Sequence, residues 1–560
     1  MKQGSGEVLV NAAVVRCSAV LLLAAAVLTG AAVLRGAEYD EQYTLFLTAG
    51  VPRPVWPDTP FRAGEVQRLQ AGRAGLADIA RDLRATDVHP PLYFWAVAVW
   101  RRLFGPSLPA ARMLSVACSL GALAAVGAIA RRAGIPAGLA MLLTLGCYGF
   151  AYTGAIARGF ALAQLLSVAG VLALLAARGR RGMWWAAGAL FGAAAASNYL
   201  AVFVGIAALG VGLRRRTTSP PAGLGREADQ GRGKGACDQS PGTHEHRLSP
   251  TMGREADQAR KGRGKSLPSP AFLRAAIWSG VGFAPWLVLD LWFFLAQRGS
   301  RAGQFPPFHL TDALRRLTTY TAAALFGGLP LYVPTGSRTV LVAALAALLL
   351  VLGLLVAHRW QRIGYPHART LLAAASLAPP LGLLGLGLAF NTTPIELRYL
   401  AFAAPFAALL LAGALASLPR RASMAAAGLV LAVQAAALAG LLTRPETMQP
   451  ARAAARSAAS SADGALVLLP RGNDGVGIVG AFGIEAPTAL NLLVIRPDDS
   501  SAQIRARAAG ARRVVLAPLA QDAASRAALP HMLAAFATPC WQRIASGSNL
   551  AAFERVCGGE

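Results

Sequence analysis

Residues 338–357 read RTVLVAALAALLLVLGLLVA, and after Arg338 the run holds no charge and no proline. About 20 such residues cross the hydrocarbon core of a bilayer as one helix, whereas a surface helix of a soluble protein keeps a polar face. Comparable runs lie at 13–34, 110–130, 135–153, 160–177, 271–296, 370–390, 399–417 and 422–442, with a longer stretch at 183–213. Composition agrees: of 560 residues, 55% are hydrophobic and only 14% charged, against roughly 25% charged in ordinary soluble proteins. A purely soluble protein is excluded, and a polytopic α-helical membrane protein is expected.

Lys plus Arg number 54 against 27 Asp plus Glu, a net charge of +27. In a polytopic chain such an excess belongs first to cytoplasmic loops, by the positive-inside rule, and nucleic-acid binding is the weaker reading. Arg131 and Arg132, Arg178 to Arg181, Arg214 to Arg216, His358 to Arg369, and Arg420 with Arg421 are therefore read as cytoplasmic. For Arg181 and Arg214 to share a side, the chain between them must cross twice, turning at Ser197-Asn198-Tyr199. Leu92 to Phe104, with Arg101 and Arg102, then fits a helix lying on the outer surface. The count becomes about 11 spans, N-terminus inside and C-terminus outside, with outer loops at 35–109, 154–159, 297–337 and 391–398. Lys2 before the first run gives it the outline of a signal peptide, but no small-x-small site closes it, so an anchored segment is expected.

Residues 214–270 are rich in Gly, Arg, Ser and Pro, and Gly-Arg-Glu-Ala-Asp-Gln occurs at 225–230 and again at 253–258. A disordered cytoplasmic insert is the reading. The transmembrane domain thus covers 1–443, and beyond Arg444 the pattern changes. Ala465 to Pro470, Leu490 to Ile495 and Arg513 to Ala517 read as buried strands, and Ser501 to Gly510 and Gln521 to Ala535 as helices. This gives a small extracytoplasmic α/β domain over 444–560. Its last hairpin brings Cys540 towards Cys557, where an exported location permits a disulfide. Cys17, Cys118 and Cys147 lie in apolar runs and read as packing.

Two motifs imitate nucleotide sites. Gly475-Val-Gly477-Ile-Val-Gly480, with Asp498 downstream, matches a dinucleotide fingerprint, but Asn473 and Asp474 separate strand from glycines and no clear helix opens there, so a flexible loop is expected. Gly264-Lys265-Ser266 resembles the end of a phosphate loop whose first glycine position is Ala259.

The outer loops carry the chemistry. Glu38, Asp40 and Glu41 follow the first run directly. Neighbouring helical positions point about 100° apart, so Asp40 and Glu41 cannot both face one pocket; Asp40 shares its face with Thr44, and Glu41 with Glu38 and Leu45. Asp87-Val-His89-Pro90-Pro91-Leu92-Tyr93-Phe94 closes the same loop. Its plainer reading is a proline-stiffened helix entry with an aromatic belt. That leaves His89 free to bind a phosphate or sugar. Arg158 and Arg398, the latter beside Glu396, fall in further outer loops and are either snorkelling arginines or anion ligands. Asp290 is an intramembrane carboxylate and a functional candidate by default.

Asp40-Glu41 after the first span, followed by Asp-x-His-Pro-Pro-Leu-Tyr-Phe, resembles the lipid-linked glycosyltransferases of the GT-C superfamily, among them the bacterial relatives of protein mannosyltransferases and of the lipid A aminoarabinose transferase. Phe104-Gly105 leading to Arg112, Ala157-Arg158-Gly159-Phe160 with Phe where the family has Tyr, and Arg398-Tyr399-Leu400 extend the resemblance over about residues 13–417. It implies a GT-C-like fold and transfer of a sugar, with inversion, from a polyprenyl-phosphate donor to a glycan, lipid or protein acceptor on the outer face of a bacterial cytoplasmic membrane. It also implies that Asp40 and Glu41 are the catalytic candidates, with Asp40 as general base. His89, Arg158 and Arg398 would bind the donor phosphate, and Asp87, Tyr93, Glu396 and Asp290 are secondary candidates. No cofactor is certain; a divalent metal stays open although no compact Asp-x-Asp announces one, and the partners are membrane lipids and substrates rather than nucleic acid. The rivals are a polyprenyl-linked sugar transporter or flippase, which should show paired interrupted helices, and an inactive scaffold for envelope assembly.

Overall fold

The computed structural model describes residues 3–177, 180–218, 270–297, 306–326, 328, 335–443, 450–460, 464–520, 522–547 and 550–557. The repeated hexapeptide and Gly264-Lys265-Ser266 lie outside them. The first part of the chain is helical: α1 (Gln3–Leu34), α2 (Tyr39–Ala49), α3 (Ala63–Gln70), α4 (Leu76–Thr86), α5 (Leu92–Phe104), α6 (Leu108–Ala133), α7 (Ala137–Gly146), α8 (Tyr148–Gly154), α9 (Phe160–Ala176), α10 (Arg181–Ser197), α11 (Val202–Thr218), α12 (Pro270–Ala296), α13 (Leu310–Leu325), α14 (Thr335–His358), α15 (Pro366–Phe390), α16 (Leu397–Leu400), α17 (Ala404–Ala416) and α18 (Arg420–Thr443).

Every apolar run of the sequence is helical. Among the described residues, six helices are long and apolar enough to cross a membrane, or seven if α7 and α8, bent by 72° at Cys147, form one broken span. Phe160–Ala176, Tyr199–Arg214 and Ala404–Ala416 are shorter apolar helices. The chain is a multi-pass membrane protein, while the count of 11 rests on the loop charges. The expected double crossing is a helical hairpin of α10 and α11, turned at Asn198, whose Oδ1 accepts from the Leu200 amide at 3.1 Å.

Between apolar helices in lipid, close packing replaces the hydrophobic drive, and small residues permit it. A Cβ on Gly188 would lie 2.0 Å from the Ser279 carbonyl oxygen, and one on Gly192 2.7 Å from the Trp286 ring, so α10 and α12 touch through their backbones. Gln434 of α18 ties the bend at Cys147 to the end of α13, its Nε2 lying 3.2 Å from the Leu143 oxygen, which also accepts from the Cys147 amide, and 3.0 Å from the Leu325 oxygen, a helix-end carbonyl with no water to turn to.

The C-terminal unit follows α19 (Ala451–Ser460) with β2 (Leu466–Pro470), α20 (Gly477–Glu485), β3 (Asn491–Ile495), α21 (Ser501–Arg507), β4 (Arg513–Leu516), α22 (Ala523–Ala535) and the hairpin β5 (Trp541–Gly547) and β6 (Leu550–Arg555). All three strands and both helices read from the sequence are present. Cys540 and Cys557 are joined in a disulfide. The sheet order is β1-β3-β2-β4-β6-β5, with β3, β2 and β4 parallel. Its first edge, β1 (Phe61–Arg62), comes from the 35–109 loop and pairs antiparallel with β3.

One expectation fails here. A helix, α20, does open at Gly477, and the glycine run is no flexible loop. A Cβ on Gly477 would meet the Tyr39 ring at 2.3 Å, and Cβ atoms on Gly480 and Gly483 would meet Phe46 and Val66 at 2.8 and 2.6 Å. These glycines let α20 lie directly against α2 and α3.

Candidate active site

Helix α2 positions the site. Its amino end is fixed by a reciprocal cap: Glu41 Oε2 accepts from the Glu38 amide at 2.9 Å, and the Glu38 carboxylate accepts from the Glu41 amide. The 100° step between neighbours then sends Asp40 and Glu41 to different surroundings.

Glu41 is wholly buried, and its partners take both oxygens. Arg112 Nε and Nη2 lie 2.7 and 2.5 Å from Oε1 and Oε2, and the Ala157 amide donates to Oε1 at 2.7 Å. Arg112, also buried, donates to the Ala32, Arg35 and Gly36 carbonyls that α1 leaves unsatisfied at its end. Thr44 Oγ1 donates to the Ala157 oxygen at 2.9 Å. Both backbone groups of Ala157 are thus held by α2, and this sets the place of Arg158.

Asp40 points elsewhere, into an ion pair with Arg398. Arg398 Nε stands 2.6 Å from Glu396, so one guanidinium sits between two carboxylates at the start of α16. A second group forms at the 87–91 turn. His89 Nδ1 is 2.8 Å from Asp87 Oδ1, and Arg158 Nη2 is 3.0 Å from His89 Nε2. Arginine can only donate, so Nε2 accepts and Nδ1 carries the proton given to Asp87. Burial raises the Asp87 carboxyl, but the His89 ring, Arg158 and the Val88 amide outweigh it and hold Asp87 well below the usual carboxylate range. Gln297, at the end of α12, ties the turn down by donating to the His89 oxygen at 2.9 Å.

Aromatic rings flank each group. Arg398 lies 5.4 Å from the Tyr399 ring, which lies 6.2 Å from Phe160; Arg158 lies 6.0 Å from the Phe94 ring. Tyr399 is within electrostatic reach of Glu396, Arg398 and Arg158 together. Arg158 is 4% exposed, no carboxylate bonds it among the described residues, and its Nη1 has no hydrogen-bond partner there. Beyond Tyr399, Leu400 and Ala403 line a cavity of about 440 Å³ among α13, α14, α15 and α17, walled by Leu325, Phe326, Leu352, Leu377, Pro380 and Leu411.

Of the residues named from sequence, the structure therefore brings together Asp40, Glu396 and Arg398, and separately Asp87, His89 and Arg158. Two others make no hydrogen bond or ion pair to either group among the described residues. Tyr93 is fully buried against α6, its hydroxyl 3.4 Å from Ser115 Oγ. Asp290 sits in α12, 8% exposed, with no partner for Oδ1 among the described residues and no ion pair to either group. Thr44, Gln297 and Tyr399 were not singled out as site residues. Only Thr44, one turn after Asp40, and Tyr399, next to Arg398, carried any signal in their spacing. No group of three or more His, Cys, Asp or Glu among the described residues could hold a metal ion.

This is a multi-pass membrane protein with a site of paired carboxylates and arginines. Residues 88–218, which include His89, Arg112 and Arg158, match the family model described as dolichyl-phosphate-mannose-protein mannosyltransferase. That match, over about a quarter of the chain, falls on the motifs that carry the resemblance to the lipid-linked glycosyltransferases. It is similar in structure to ArnT from Cupriavidus metallidurans in the apo state, at 13% identity, 98% of this chain, 99% of that one and TM-score 0.48. The same enzyme bound to undecaprenyl phosphate matches at 13% identity over the same shares, with TM-score 0.46. The archaeal oligosaccharyltransferase AglB from Archaeoglobus fulgidus matches at 12% identity, 90% of this chain, 69% of that one and TM-score 0.39. Among curated protein sequences none matches at a significant level.

Proposed function

We propose that the protein transfers a sugar from a polyprenyl-phosphate donor to an acceptor hydroxyl on the extracytoplasmic face of a bacterial cytoplasmic membrane. The observation that carries this is Arg158, a buried guanidinium with an unpartnered Nη1 and no bonded carboxylate. A buried guanidinium nitrogen with no acceptor is costly, and an entering anion supplies one. Arg398 is the second ligand, its planar fork suited to phosphate.

In the resting pair Asp40 and Arg398 neutralise one another. Phosphate competes for Arg398 and releases the Asp40 carboxylate to act as base. Asp40 then accepts the proton of the acceptor hydroxyl as its oxygen bonds to the anomeric carbon. The bond from that carbon to the phosphate oxygen breaks, and polyprenyl phosphate leaves, its charge held by Arg158 and Arg398. Attack opposite the leaving group inverts the anomeric centre. His89, oriented by Asp87, keeps Arg158 in place. Glu41 has a positioning part, since Arg112 and Ala157 occupy it.

The test is transfer in membrane vesicles with a panel of labelled polyprenyl-phosphate sugars. Asp40→Ala is expected to lose at least about a hundredfold in turnover, and Arg158→Ala to raise KM for the donor. Label that changes leaflet without any transfer by the native protein overturns the transferase reading in favour of a carrier.

A further inference from the structure

In an open α/β sheet, ligands settle in the crevice beyond the carboxyl ends of the strands where successive connections run in opposite directions. Here β2 is followed by β3 on one side and the chain then returns to β4 on the other, so the crevice lies between the loops after β2 and β4. Those loops offer Asp474 and Asp522. Neither awaits a small molecule: Tyr43 donates to Asp474 Oδ2 at 2.6 Å, and Tyr39 to Asp522 Oδ2 at 3.2 Å. The two phenol oxygens are 3.2 Å apart. Arg53 pairs with Asp474 as well, and Trp56 Nε1 donates to the Gly475 oxygen at 2.6 Å. Gly477 lets the Tyr39 ring reach this depth.

We propose that the ligand of the C-terminal unit is helix α2 itself, and that Tyr39 and Tyr43 are positioning residues through which this unit holds Asp40 against the site. Tyr39 adjoins Asp40, and Tyr43 lies one turn on. The grip therefore acts on the helical turn that presents the carboxylate, and Glu41 with Arg112 grips the same turn from the membrane side. Tilt or rotation of α2 would carry Asp40 away from Arg398 and from an acceptor. The glycine motif is accounted for as the seat of this grip.

The proposal rests on the reading of Asp40 as base, and its test separates the two. Tyr39→Phe/Tyr43→Phe keeps both rings and removes only the hydroxyls. In the full-length protein in vesicles, kcat is expected to fall about tenfold or more, as misplacement of a reacting group does, with the donor KM within about twofold of native. Hydrogen exchange of the α2 amides should rise while thermal unfolding stays put. In an Asp40→Glu background, where the carboxylate is already displaced, the same pair of substitutions should cost clearly less than in the native background. An unchanged kcat, or an equal loss in both backgrounds, overturns the clamp. Full turnover by Asp40→Ala overturns the base reading instead. Asp474→Asn, which leaves an acceptor oxygen for Tyr43, should fall between native and the double variant.

Discussion

Asp40 and Glu41 are neighbours of the same charge type, yet their parts could hardly differ more. The sequence already separates them, because one helical step forbids a shared pocket. It does not say which faces the site, since that depends on Arg112 and Ala157, more than seventy residues away. Breaking a buried pair leaves an uncompensated charge, so Arg112→Met is expected to cost about 3–5 kcal/mol, read as a large fall in the melting temperature in detergent. At the second group the pH response has a defined sign. Asp87 is depressed in the fold, so its stabilisation is complete above the ordinary carboxylate value and fades only as pH falls below it. The difference in melting temperature between native protein and Asp87→Asn should thus shrink as pH falls below about 4.

Local pattern reveals local elements. Strands β2, β3 and β4, helices α21 and α22 and the cystine-closed hairpin were all legible because short apolar runs and turn residues mark them. Strand β1 was not: two residues with no period of their own pair with Asn491 and Leu492, far along the chain. The glycines of α20 were misread for a related reason, since their purpose is visible only with α2 against them. Gly480→Leu would force a side chain into Phe46 and Gln42 and should destabilise by about 1–3 kcal/mol, checked by unfolding and by protease sensitivity of the junction. The Cys540–Cys557 bridge closes a short loop, with a sequence separation of 17, and its removal by Cys540→Ser should cost about 3 kcal/mol. Sugar transfer at permissive temperature should be unaffected, because the hairpin stands at the sheet edge farthest from α2.

At the scale of the molecule, apolar runs carried the multi-pass architecture, and the motifs carried the resemblance on which the family model also falls. How helices close around a site is a property of packing that no single run encodes. The topology itself is testable: a reporter active only outside the cytoplasm should work when fused beyond Arg444 and fail when fused after Arg181 or Arg420.

The two-residue strand β1 has one more consequence. Because the sheet borrows its edge from the beginning of the polypeptide, the carboxyl-terminal region is an unfinished object when cut free at 444. It would present the open backbone of β3 and the bare glycine face of α20 to water, an invitation to stick to its own copies. During synthesis the borrowed strand leaves the ribosome hundreds of residues before its partner. The finished sheet therefore requires the 35–109 loop and the C-terminal region to lie on the same side of the membrane.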